Sequence, residues 1–212
     1  MKVSPDVLIK RLPYLGAFVV LIVVMIWDTT FIGPEEALAR GAAEFSAEEY
    51  ATFAFPELVE VYEETAVDVA RVGAALRDDP EAGAEEFGVD LGSGRYGFAL
   101  SAVGEVSEVT DDFITIAIAD DPDLDVRVPL TTAVNGTPIR DASGTVAFGD
   151  FRDQTQYQDV ANEFRQLMLD EVIAPLDLAG AEGQEISVVG AWLQGGPPDT
   201  FVIQPVRIDI NA

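Results

Sequence analysis

The sequence predicts an α+β protein in which a transmembrane helix and a helical segment precede a five-stranded β-barrel, with one helix between the third and fourth strands. Three observations carry this. A nearly unbroken apolar run stands close to the N-terminus, apolar residues then recur at helical spacing as far as Leu76, and after Leu91-Gly92-Ser93-Gly94 the period changes to that of strands.

The apolar run lies between Lys10 and Trp27, and the phenol of Tyr14 is the only ionisable group from Leu12 to Ile26. With Phe31-Ile32 beyond it, the run lies at the short end of the roughly 17–25 residues that cross a bilayer. Lys2, Lys10 and Arg11 precede it and Asp28 follows. That bias predicts residues 1–11 as a basic cytoplasmic N-terminus, 12–32 as a signal-anchor at the cell membrane, and an extracytoplasmic remainder. No small-residue cleavage pattern follows directly, Ala37-Leu38-Ala39 being far downstream, so a retained anchor is expected, with cleavage as the alternative. The sequence has no cysteine, so no thiol is present to carry a lipid.

Beyond the anchor, about 180 residues remain, enough for one well-buried domain or two small ones. Residues 28–212 hold 37 acidic residues against nine arginines and no lysine. Such a surface repels nucleic acid, whose binding depends on phosphate neutralisation, so no nucleic-acid partner is expected. The acids are spread along the chain, which suits a generally acidic proteome; a specific cation-rich partner is the other reading. Without His or Cys, structural zinc, thiol nucleophiles, disulfides and His-based triads are excluded. An enzyme would have to rely on carboxylates, Tyr, Ser/Thr or Arg, so a non-enzymatic role without cofactors is expected.

Residues 33–92 read as a juxtamembrane and helical segment. Ser46-Ala47-Glu48-Glu49 has capping-box spacing, placing a helix start at Ser46. Pro56 reads as a break, after which Val59, Tyr62, Ala66, Val69, Gly73 and Leu76 form the stripe of an amphipathic helix of about five turns, ending before Asp79-Pro80. A short helix over Glu81–Phe87 follows. Residues 93–212 read as the barrel. Phe98–Val103 and Glu105–Val109 form one long strand with an irregularity at Gly104; Phe113–Ile118 and Leu124–Val128 follow, and a short strand is expected over Thr145–Phe148. A second helix runs from about Thr155 to Ala174, with Tyr157, Val160, Ala161, Phe164, Leu167, Met168 and Val172 on its buried stripe and Pro175 as its stop. Glu185–Leu193 and Phe201–Ile210 close the set. Three strands, a helix and two strands is the element order of an OB-like barrel.

Asp121, Asp123 and Asp125 alternate like the opening of a calcium loop, but Val126 and Thr132 stand where an EF-hand needs Gly and Glu. A weak cation site or an ordinary hairpin turn are the readings left. Asn135-Gly136-Thr137 is a glycosylation sequon only in a host that glycosylates. No phosphate-binding loop, hydrolase elbow or serine–lysine motif occurs. The most suggestive stretches are Gly136–Ala142 and Phe148–Tyr157, where Arg, Asp, Gln and Tyr lie among Phe residues ahead of a helix. They permit a local structural account, with Asp150 or Asp153 capping the helix and Arg140 paired with Asp141. They also permit a polar pocket for a small anion or sugar hydroxyls.

The same stretches, GTPIRDASGTVAFGDFRDQTQY and LAGAEGQEISVVGAW…FVIQPVRIDI, with EEYATFAFPELVEVYEETAVDV upstream, resemble a family of predicted periplasmic lipoproteins, domain of unknown function 2291, over roughly residues 45–210. The resemblance implies an extracytoplasmic, membrane-tethered protein, often encoded beside sugar-type ABC transporters, with no established biochemical role. The family's usual lipid-attachment cysteine is missing here, which would put a protein anchor in place of a lipid. Asp153 stands where an Asn is expected, and Pro138 replaces a small residue. By resemblance, Gly136, Thr137, Arg140, Asp141, Phe151, Gln154 and Tyr157 are the candidate ligand or partner residues.

The expected function is therefore a membrane-tethered accessory protein assisting an ABC-type solute uptake system, its partner the transporter or its solute-binding protein. Direct binding of a sugar or organic anion is the alternative. A carboxylate enzyme, which needs two acids facing across a cleft, stands third.

Overall fold

The computed structural model describes residues 45–132, 137–197 and 199–211. The expected anchor, the basic N-terminus, Gly136 and the sequon asparagine lie outside the described residues. Among those described, no helix is long and apolar enough to cross a membrane. Ser46–Ala212 forms one compact unit, so the helices and the strands share a body.

Helix α1 spans Ala47–Thr65, with Ser46 accepting from the Glu49 N–H as its cap. Contrary to expectation, Pro56 does not interrupt it. Ala51, Phe55, Leu58 and Tyr62 form one buried stripe, whereas Pro56 and Thr52, whose carbonyl the proline leaves without a helical donor, face solvent. The break falls instead at 66–68. There β1 (Val67–Asp68) lies parallel to Leu100 and Ser101, and the Asp68 carboxylate accepts from Ala70 and Arg71 to start α2 (Val69–Asp78). The single five-turn helix expected across this region is thus two helices, because the start of a new cap outcompetes continuation. Helix α3 (Pro80–Phe87) is capped by Asp79 with proline in its first turn.

Strand β2 (Val89–Asp90) returns against the start of β3 (Tyr96–Val109), which pairs with β4 (Phe113–Ala117) and β6 (Glu185–Leu193). Strand β5 (Asp125–Pro129) pairs with β4. The last strand is split at Ile203. Its first part, β7 (Thr200–Val202), runs parallel to β5, and its second, β8 (Gln204–Asn211), antiparallel to β6. The final strand thereby reaches both edges of the curled sheet, as an OB-type barrel requires. The irregularity in β3 lies between Val106 and Glu108, not at Gly104, which keeps its register with Ile186. Gly104 is needed for another reason: a Cβ there would lie 2.3 Å from the Ala117 carbonyl oxygen.

Between β5 and β6 come a single turn α4 (Pro138–Asp141), a 3₁₀ turn at Phe148–Asp150 and helix α5 (Gln154–Leu167). No strand forms at 145–148. The Ala147 N–H instead bonds the Asp150 carboxylate, which turns the chain. Helix α5 continues into a π turn, Met168–Ile173. This inserts one residue into the repeat, so the buried stripe passes from Met168 to Ile173 and leaves Val172 half-buried.

Two apolar layers result. One, with Phe98, Leu100, Val126, Val188, Trp192 and Phe201, fills the curled sheet and takes Val69, Val72 and Leu76 from α2. The other lies outside the sheet, where Phe55 of α1 meets Phe164 of α5 at 6.3 Å between ring centres, above β6 and β8. Burial of large side chains at about 1.5–3 kcal/mol each makes these layers the main stabilising term.

Candidate functional site

The stretches Thr137–Ala142 and Phe148–Tyr157 meet beside the outer layer. Pro138, Ile139 and Arg140 of α4 are buried. The Tyr62 hydroxyl of α1 donates to the carbonyl oxygens of Ile139 at 2.8 Å and Pro138 at 3.2 Å, which fixes the turn to the helix. Burial, followed by the Asp141 charge, raises the Tyr62 pKa well above its ordinary value, so this hydroxyl stays a donor.

Arg140, only 5% exposed, organises the cluster. Its Nε donates to Asp141 Oδ1 at 2.7 Å and its Nη2 lies 2.6 Å from the same oxygen. Nη2 also donates to Thr137 Oγ1 at 3.1 Å, and Nη1 donates to the Tyr157 backbone carbonyl at 2.7 Å. The guanidinium carbon stands 3.4 Å from the Tyr157 ring centre. Thr137 Oγ1 hydrogen-bonds Asp141 Oδ2, and the Tyr157 hydroxyl reaches Asp141 Oδ1 at 3.4 Å. The buried cation thus spends its bonds on α4 and the first turns of α5, and its charge is neutralised locally.

Helix α5 is placed by its own cap. The Asp153 carboxylate accepts from Thr155 and Gln156 at 3.0 Å each, and those amides hold its pKa below the usual carboxylate value. Phe148 and Phe151 each lie 5.5 Å from the Tyr157 ring, and Phe151 continues to Tyr50 of α1 at 5.2 Å. The local structural account of these motifs therefore holds for Arg140, Asp141 and Asp153.

A cleft of ≈ 500 Å³ opens over this cluster. Of the candidate residues, Thr137, Arg140, Asp141, Gln154 and Tyr157 line it; Phe151 is 8% exposed and serves packing. Phe148, which opens the second stretch, joins them, and sequence reasoning missed Asp90, Leu91, Arg95 and Gln158, which complete the wall. Gln158 lies one turn beyond Gln154, a helical repeat legible in the sequence. Asp90 and Arg95 arrive through the β2–β3 hairpin, whose Gly92, Ser93 and Gly94 all take positive φ. No local signal links that loop to a helix more than 50 residues on. The cleft's ionisable walls balance, two Arg against two Asp. The Asp90 carboxylate already accepts from the Gly92 N–H at 2.7 Å.

The weak cation site does not assemble. Asp121 pairs with Arg77, and Asp125 accepts from Arg127 at 2.7 Å, so arginines take the carboxylates that an ion would need. Among the described residues no cluster of three metal-ligating groups occurs.

These features define an OB-type domain wrapped by helices. The crystal structure of an OB-fold protein from Thermotoga maritima superposes with a TM-score of 0.67, covering 79% of this chain and 99% of that one at 21% identity, which establishes the fold. The chain belongs to the family of predicted periplasmic lipoproteins designated DUF2291, which matches residues 18–209. That membership points to an extracytoplasmic, membrane-associated protein. No curated protein matches it.

Proposed function

We propose that the protein is a non-enzymatic extracytoplasmic binding module, held at the membrane by its apolar N-terminal run, whose cleft at the start of α5 takes a small neutral, hydrogen-bonding solute on behalf of an ABC-type uptake system. The absence of cysteine in a member of a lipoprotein family supports the protein anchor, since a lipid would need that thiol.

The observation that carries the ligand class is the commitment of Arg140. An anion-binding site needs free donors and unopposed charge, whereas Arg140 is neutralised by Asp141 and the exposed Arg95 is matched in charge by Asp90 on the same wall, within a chain of net charge −26. What the cleft offers instead is the exposed amides of Gln154 and Gln158 and the half-exposed ring of Phe148, a surface suited to hydroxyl groups and an apolar face. The engagement of both Asp141 oxygens by Arg140 and Thr137 supports a non-catalytic reading, because that carboxylate is held by the fold.

Thermal-shift measurements on the full-length protein test the ligand class. Neutral sugars and polyols should raise the melting temperature, with the rise lost in Gln154→Ala and Phe148→Ala. A rise with organic anions alone, or with neither, rejects it. Cross-linking to a co-expressed transporter or its solute-binding protein tests the partner.

A further inference from the structure

One arginine of the cleft serves no contact within the fold. Every other arginine among the described residues is partnered, six of them with an acid and Arg165 with Asn162. The guanidinium of Arg95 makes no hydrogen bond or ion pair among the described residues, although the chain carries 38 acids. It is exposed on the cleft wall with all its donors free.

Asp90 stands on the same wall and does not pair with Arg95. Its Oδ1 accepts from the Gly92 N–H at 2.7 Å, which leaves Oδ2 as a free acceptor. Backbone bonds from Leu91 N–H to Arg95 O at 2.9 Å and from Arg95 N–H to Gly92 O at 3.3 Å close the hairpin that carries both side chains. One hairpin therefore presents a charged donor and a charged acceptor, separately, to the space faced by Gln154, Gln158 and the half-exposed ring of Phe148.

That combination narrows the solute. A hydroxyl group donates one hydrogen bond and accepts others, so neighbouring hydroxyls can satisfy a carboxylate and a guanidinium at once without bringing in charge. The planar fork of an arginine suits two oxygens held close together. A ring keeps such hydroxyls in fixed positions and offers a C–H face to an aromatic side chain, whereas an open chain must lose conformational freedom to do the same. An anion would gain Arg95 but meet the carboxylates of Asp90 and Asp141; a cation would meet two arginines.

We infer that Asp90 and Arg95 are specificity-determining residues of the cleft, and that its solute is a polyhydroxylated ring, a pyranose or cyclitol, whose adjacent hydroxyls bridge the two while its C–H face lies on Phe148. This rests on the neutral-solute reading of the cleft and adds to it the shape of the solute and the wall that selects it.

The test uses the full chain in a neutral detergent, with D-glucose and myo-inositol as probes, and reads affinity by calorimetric titration. A cyclohexanetriol with hydroxyls on alternate carbons and the open-chain polyol sorbitol are the comparison solutes. At least one of the two probes should bind, and both comparison solutes should bind it roughly tenfold more weakly or worse. Arg95→Gln and Asp90→Asn should each weaken the bound probe by about tenfold, the loss of one charge-assisted hydrogen bond. Both variants should melt as the wild type does without solute, since Arg95 has no partner to lose and Asn keeps the oxygen that caps Gly92. Unchanged affinity in both variants, with binding still lost in Gln154→Ala and Phe148→Ala, overturns this inference and leaves the neutral-solute reading standing. Equal binding of the alternate-carbon triol overturns it in the same way. Binding by none of the four solutes overturns both readings. Tighter binding of the zwitterion β-alanine than of either ring overturns the inference by making the two charges a site for opposite charges.

Discussion

The guanidinium of Arg140 stacks on Tyr157, 3.4 Å from its ring centre, while donating to that residue's own backbone carbonyl at 2.7 Å. One side chain therefore fixes both the ring and the helix turn that carries it. Removing the cation by Arg140→Met leaves Asp141 as a half-buried carboxylate beside Thr137 and should cost about 3 kcal/mol. Arg140→Met combined with Asp141→Ala should recover part of this, since no charge is then left unpaired. Tyr157→Phe keeps the stack and gives up only a long contact to Asp141, so it should cost under about 1 kcal/mol. Urea denaturation measures all three. A single Arg140→Met variant as stable as the wild type would show that the pair contributes nothing.

Gln204 is 1% exposed, and its Nε2 has no hydrogen-bond partner among the described residues. A buried donor without a partner costs about 1–3 kcal/mol, and an apolar side chain of the same length avoids that cost. Gln204→Met should therefore stabilise the protein by about 1 kcal/mol, or roughly 2–4 °C for a domain of this size. A fall in melting temperature would mean that the amide has a role in the fold that its geometry does not reveal.

How far the sequence could be read follows from the range of each interaction. Alternation in Glu185–Leu193 identified β6 residue for residue, because each face of a strand reports its own surroundings. The capping signal at Ser46 was equally local. Pro56 misled because a solvent-facing proline in a helix anchored by Phe55, Leu58 and Tyr62 is tolerated, and only tertiary packing decides that. The π turn at 168–173 was invisible for the same reason: the stripe slips by one residue to follow the sheet beneath it. Arg140, Gln154 and Tyr157, candidates by sequence, do line one cleft, whereas Asp90 and Arg95 reach it through a hairpin closed elsewhere in the chain.

Close backbone approach makes two glycines irreplaceable. A Cβ at Gly190 would stand 2.2 Å from the Gln204 carbonyl oxygen, and at Gly104 2.3 Å from that of Ala117. In both places the obstacle is backbone and cannot swing aside. Gly190→Ala and Gly104→Ala should each cost about 3 kcal/mol, at the upper end of ordinary overpacking. Gly149→Ala is the control, since a Cβ there meets nothing within 4 Å. Equal melting temperatures for Gly190→Ala and Gly149→Ala would contradict the described register of β6 and β8.

Arg77 of α2 pairs with Asp121 after β4 and with Asp199 before β7, joining a helix to two loops at one end of the sheet. The hydrogen bond from Arg77 is the largest influence on Asp121 and holds its pKa below the usual carboxylate value. A carboxyl group with a depressed folded pKa adds stability above its unfolded pKa, about 3.9, and that stability disappears as pH falls through the lower folded value. Arg77→Gln should therefore melt below the wild type at pH 7, and the gap should shrink steadily below pH ~4 as Asp121 protonates in both proteins. Melting curves of the two proteins between pH 7 and pH 3 decide the matter. A gap of constant size across that range would mean that Arg77 contributes through packing of its stem on the loops and that its charge is immaterial.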